Sequence, residues 1–118
     1  MTPRVAIVGS RDYPGFEAVR AYVRELPAGT VVITGGARGV DRTAQETALG
    51  CGLVTVVVYP AWQRRDGSYD RGAGLARNRV IAELCSRMVA FWDGKSRGTE
   101  HAIACARELG RPVEIIAP

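Results

Sequence analysis

Three short segments combine glycine, a hydroxyl side chain and arginine: GSRDYPG (Gly9 to Gly15), TGGARGVD (Thr34 to Asp41) and WDGKSRGT (Trp92 to Thr99). Each follows a short apolar run and leads into a helical pattern. A helix N-terminus leaves backbone N–H groups without partners and carries partial positive charge. Glycine lets an anion approach that backbone. Ser10, Thr34, Ser96 and Thr99 can donate hydroxyl hydrogens, and Arg11, Arg38 or Arg97 can fork onto phosphate oxygens. One such loop is explained equally well by a turn that needs positive φ. Three converging on one crevice point to a cradle for a phosphate-bearing ligand. In that reading Gly35, Gly36 and Gly39 serve both turn and cradle, and Arg38 is the residue a turn alone does not require.

A fourth cluster lies in AGLARNRVIAEL (Ala73 to Leu84), where Arg77, Asn78 and Arg79 fall near the start of a helical pattern. Cations at a helix N-terminus oppose its dipole, so two arginines there imply a compensating anion. Asp41 has two readings, a helix-start residue or a ligand contact. Trp92 ends a strand-like run, where an aromatic covers the sheet or stacks on a base; it is read as a ligand contact, and Trp62 is assigned neither role.

Two phosphate signatures are absent. GGARG lacks the G-x-G-x-x-G spacing, and the GKS triplet at Lys95-Ser96 would place the first glycine of a P-loop at Val89, inside a strand. A nucleoside triphosphatase is therefore disfavoured. His101 is the sole histidine, which argues against a zinc site or a Ser-His-Asp triad. Cys51, Cys85 and Cys105 form no C-x-x-C pair and read as buried free thiols. No metal set and no required cofactor are expected.

The elements that must position these loops alternate along the chain. Strand-like runs occur at Arg4–Gly9, Thr30–Thr34, Leu53–Tyr59, Met88–Trp92 and Val113–Ile116. Between them, apolar residues recur at helical spacing: Phe16, Val19, Val23 and Leu26; then Val40, Ala44, Ala48 and Cys51; then Leu75, Ile81, Leu84 and Cys85; then Ala102, Cys105, Ala106 and Leu109. Ile81 and Leu84 are expected in the core. The stretch Ala61 to Gly74 has no period and is rich in Arg, Asp and Gly, and long loops in compact domains are often functional. Five strands joined by four helices imply an α/β, Rossmann-like, three-layer doubly wound parallel sheet, with order 3-2-1-4-5 preferred over 2-1-3-4-5. Several strands are continuously apolar, as doubly buried parallel strands should be. Ligands of such sheets bind beyond the carboxyl ends of the strands, at the point where the winding reverses.

The 118 residues suit one domain over positions 1–118, and 47% hydrophobic with 24% charged residues is an ordinary globular composition. No apolar run approaches membrane-spanning length, and the N-terminus shows no cleavable leader, so a cytoplasmic location without membrane association is expected. The net charge is +4, and Lys95 is the sole lysine among 16 basic residues. Guanidinium groups and a positive field suit anionic ligands.

Taken in order, VGSRDY, TGGARGVDRTA, YPAW, AGLARNRVIAEL, VAFWDGKSRGT and A…GRPV resemble the SLOG superfamily, in particular its small YspA-like branch from bacteria and phages. The resemblance covers nearly the whole chain. It implies a Rossmann-like fold, a pocket for a nucleotide or nucleotide-derived ligand acting as sensor or carrier, and a homodimer or higher homo-oligomer. It carries pocket roles onto Gly9, Ser10 and Arg11; onto Thr34, Gly35, Gly36, Ala37, Arg38 and Gly39 with Asp41; onto Arg77 and Asn78; and onto Asp93, Gly94, Gly98 and Thr99.

Two related groups imply other functions. The LOG phosphoribohydrolases cleave the N-glycosidic bond of nucleoside monophosphates with an arginine and a glutamate in P-G-G-x-G-T-x-x-E. Arg77 suits the arginine. The present loop has no P-G-G, and Ala102 stands at the glutamate position. Glu100, the substitute catalytic carboxylate, falls about 200° around the helix; Asp93 is a second choice. The DprA group, which binds single-stranded DNA, is similar in the G-S-R, G-x-x-x-G-x-D and R-N-R segments. A small nucleotide-like molecule is thus the expected partner, with DNA placed behind it.

Overall fold

The computed structural model describes residues 2–118. Nine elements follow one another: β1 (Arg4–Gly9), α1 (Glu17–Arg24), β2 (Val31–Thr34), α2 (Val40–Gly50), β3 (Val54–Val57), α3 (Ala73–Leu84), β4 (Arg87–Phe91), α4 (Arg97–Glu108) and β5 (Val113–Ile116). The five strands form one parallel sheet in the order β3-β2-β1-β4-β5. This is the Rossmann-like order expected from the alternation of elements.

The sheet has a core on each face. In β1, Val5 and Ile7 join one cluster and Ala6 and Val8 the other, as alternating side chains of a strand covered on both sides must. The first cluster packs under α1 and α2 and is built from large side chains, among them Ile7, Val32, Phe91 and Tyr13. Tyr13 meets Phe91 edge-on, with ring centroids 5.6 Å apart, and its hydroxyl donates to Ile116 O at 3.1 Å. That contact pins the β1–α1 loop across the ends of β4 and β5. The second cluster, under α3 and α4, is dominated by small residues: Ala6, Ala82, Ala90, Ala102, Ala106, Cys85 and Cys105.

Three expectations need correction. β3 is an edge strand, and Val54 and Val56 are 64% and 37% exposed. Their register with Val31 and Ile33 puts them on the α3 side of the sheet, where α3 lies over β1 and β2 rather than β3. Leu75 and Leu84 are likewise exposed, because α3 turns Asn78, Ile81 and Ala82 inward instead. Cys51 is exposed where α2 ends, whereas Cys85 and Cys105 are buried. Among the described residues, no helix is long and apolar enough to cross a membrane.

Candidate functional site

A cavity of about 570 Å³ opens at the carboxyl ends of β1 and β4, where the winding of the sheet reverses. Three loops and the flank of α3 enclose it. Each is held by bonds between residues far apart in sequence.

The β1–α1 loop supplies Gly9, Ser10, Arg11 and Asp12. Gly9 is required by close approach: a Cβ there would lie 2.6 Å from Phe91 O and 2.7 Å from the Val40 side chain. Ser10 N donates to Phe91 O at 3.1 Å, and Ser10 Oγ accepts from Asp93 N at 3.3 Å, so this loop is stitched to the end of β4.

The β4–α4 loop supplies Asp93, Lys95, Ser96, Gly98 and Thr99. Asp93 Oδ1 accepts from Lys95 N at 2.8 Å and Ser96 N at 2.9 Å. Those backbone donors hold its carboxyl below the usual carboxylate range. Ser96 caps α4, with Oγ accepting from Thr99 N at 3.4 Å. The start of α4, through Ser96, Gly98 and Thr99, lines the cavity, and a helix N-terminus carries partial positive charge.

The β2–α2 loop brings Ala37 and Asp41. Asp41 is 5% exposed and accepts from Gly35 N at 3.1 Å and Ala37 N at 3.4 Å through one oxygen. Burial pushes its carboxyl up to about 6, against the opposing pull of the Arg77 charge and of the backbone donors. Arg77 Nη1 donates to Gly35 O at 2.6 Å and Arg77 Nε to Asn78 Oδ1 at 3.0 Å, while Asn78 Nδ2 donates to Gly98 O at 3.2 Å. This chain ties the β2–α2 loop, α3 and the start of α4 together around the cavity. Gly39 closes the assembly: its φ is +83°, and a Cβ would lie 2.6 Å from Arg11 O.

Arg11, Arg77 and Lys95 supply positive charge to the lining, and Asp12, Asp41 and Asp93 supply carboxylates. Two of those carboxylates are engaged by backbone N–H groups, and one is placed to change its protonation near pH 6. The cavity can therefore hold an anion through α4's N-terminus, hydroxyls and three cations, with Asp41 setting the balance.

Of the residues singled out in the sequence, the cavity brings together Gly9, Ser10, Arg11, Ala37, Asp41, Arg77, Asn78, Asp93, Ser96, Gly98 and Thr99. Gly35, Gly36 and Gly39 stand behind it and act through backbone or close packing. Thr34 is fully buried, with its hydroxyl unpartnered, and does not reach the lining. Arg38 is exposed and, like Gly94, lies outside. Trp92 and Glu100 line a separate groove on the other side of α4 with Ile103 and Arg107. Trp92 Nε1 donates to Ser96 O at 3.0 Å, which makes it a brace for the loop. Arg77 and Glu100 are consequently not brought together. The sequence reading omitted Asp12 and Lys95. Lys95 had a signal, since it sits two residues after an aspartate in a turn-forming D-G-K-S segment.

The sequence model for the family described as DNA recombination-mediator protein A matches residues 1–66. The Gene 61 protein of Mycobacterium phage D29 is 35% identical over 119 residues, covering 93% of each chain. DNA processing protein DprA of Streptococcus pneumoniae is 33% identical over 140 residues, 94% of this chain but 49% of its own length. The chain thus spans about half of that relative. A structure of DNA processing protein A from Helicobacter pylori, solved for its unique single-stranded DNA binding mode, matches with a TM-score of 0.82 at 26% identity. It covers 98% of this chain and 66% of that one. These matches overturn the expected ranking of partners, which put a nucleotide-like small molecule ahead of DNA. Two of the similar proteins are named DNA processing proteins, and one of these has a described single-stranded DNA binding mode.

Proposed function

Because this chain belongs to the family of DNA recombination-mediator protein A, we propose that it binds single-stranded DNA, seating a backbone phosphate in the cavity between β1 and β4. The observation that carries this reading is the match, over nearly the whole chain, to the H. pylori protein with its single-stranded DNA binding mode. The cavity's chemistry supports it. Arg11 and Lys95 are exposed cations at the rim, α4 offers a helix N-terminus, and Ser10, Ser96 and Thr99 add hydroxyls. A phosphodiester keeps its charge at all working pH values, so a pH dependence of binding belongs to the protein.

Fluorescence anisotropy with a labelled oligothymidylate at several salt concentrations tests the reading. Affinity should fall steeply with salt, and Lys95→Ala should lower the log–log slope by about 0.7, the loss of one phosphate contact on a single strand. Absence of binding at low salt would overturn it.

A further inference from the structure

The segment between β3 and α3 is a small hairpin. Gln63 and Tyr69 form an antiparallel bridge, Asp70 N donates to Trp62 O, and Arg64 N donates to Ser68 O at 2.8 Å. Asp66 closes the turn by accepting from Ser68 N at 2.9 Å. This pairing lays the Trp62 and Tyr69 rings parallel, 7° apart in plane with centroids 5.7 Å apart. The indole edge rests on Gly74 in the first turn of α3, where a Cβ would lie 3.3 Å from Trp62 Cη2. The stack is anchored yet open: Trp62 is 41% exposed and Tyr69 62%.

Its surroundings are cationic. Arg64 reaches Asp70 at 3.6 Å, and Arg65 and Arg71 have no carboxylate within ion-pair distance among the described residues. The hairpin also adjoins the cavity. Arg77 lines the cavity on one side and, on the other, a groove walled by Tyr59, Ala61 and Asp70. Gly74, under the indole, is one helical turn before Arg77.

We propose that the Trp62–Tyr69 stack is a platform for an unpaired base of a nucleic acid strand whose phosphate occupies the cavity. This rests on the single-stranded DNA reading and adds to it the origin of strand selectivity. In a duplex the base faces are covered by their neighbours. In a single strand a base can continue the aromatic stack, whatever its identity, while Arg65 and Arg71 meet the flanking phosphates. A hairpin that only joined β3 to α3 would have no need for two parallel rings exposed beside unpaired arginines.

The test titrates the full chain with three oligonucleotides of equal length: oligothymidylate, an abasic strand with the same phosphates, and a duplex. Oligothymidylate should quench tryptophan fluorescence in the wild type and not in Trp62→Phe, which keeps a ring in the stack. Tyr69→Leu should weaken oligothymidylate binding about tenfold and leave abasic-strand binding unchanged, whereas Tyr69→Phe should bind as the wild type does. The duplex should bind more weakly than oligothymidylate. If Tyr69→Leu binds oligothymidylate as tightly as the wild type, or binding leaves Trp62 emission unchanged, the platform is overturned and the cavity reading stands. If no strand binds at low salt, both fall.

Discussion

The cavity and the hairpin are built on opposite plans. The bonds that tie the walls of the cavity to one another join residues far apart in the chain: Arg77 to Gly35, Asn78 to Gly98, Asp93 to Ser10. Those that shape the hairpin, Trp62 to Asp70, Arg64 to Ser68 and Asp66 to Ser68, stay within one turn of chain. The cavity's geometry is therefore a property of the whole fold, and damage to it must register in global stability. The hairpin is set by its own turn and can be altered with little effect elsewhere.

The largest separation of the two regions should come from matched glycine substitutions. Gly39 and Gly67 have nearly the same φ, +83° and +86°, but Gly39 abuts the Arg11 backbone and Gly67 faces open space. Gly39→Ala should lose about 3 kcal/mol or more in urea unfolding, from backbone strain and overpacking together. Gly67→Ala should lose about 1 kcal/mol, from strain alone. Equal losses would break the distinction.

Next in size is Arg77→Ala. It removes the donor to Gly35 O and leaves Asp41 buried without its nearby cation, which should cost about 2–3 kcal/mol at pH 8. The loss should shrink at pH 4, where Asp41 is protonated, and chemical denaturation at the two pH values measures the difference.

The smallest effect concerns Asp41 itself. Its folded carboxyl titrates at about 6 rather than 3.8, so the native state holds this proton more tightly than the unfolded chain. The resulting stability is present below pH ~4, is lost as pH rises to ~6, and amounts to at most ~3 kcal/mol. Asp41→Asn keeps an oxygen for Gly35 N and Ala37 N and has no charge to bury. It should be about 2 kcal/mol more stable than the wild type at pH 7.5 and equal to it at pH 4 by thermal unfolding. Oligothymidylate binding by the wild type should strengthen as pH falls through 6, and binding by the variant should not.

The same contrast explains what could be read from the residues. β1 and β5 have the bounds their apolar runs suggest, and the observed strand order is the preferred one of two that alternating elements and short connections leave open. The convergence of the glycine-bearing loops was legible because parallel sheets put all such loops on one edge. Which side chains face inward was not. Arg38 and Lys95 sit in similar loops, yet only Lys95 reaches the cavity, because each loop's turn sets the direction of its side chains. Periodicity marks Leu84 as apolar but does not reveal that this side of α3 is left exposed. The hairpin escaped because a two-residue pairing around a tight turn has no repeat to detect, and α3 begins at Ala73, inside the stretch that reads as loop.

The central position of β1 has a kinetic consequence. β1 meets β2 early in synthesis, but its other neighbour is β4, whose first residue is Arg87. Parallel pairings that close long stretches of chain form slowly. The residues matched by the family, 1–66, contain only one bank of the cavity; Arg77, Asp93 and Ser96 are still to come. A growing or refolding chain thus completes the cavity only after β4 has paired with β1. Ligand capture in a stopped-flow refolding experiment would report the arrival of the native topology.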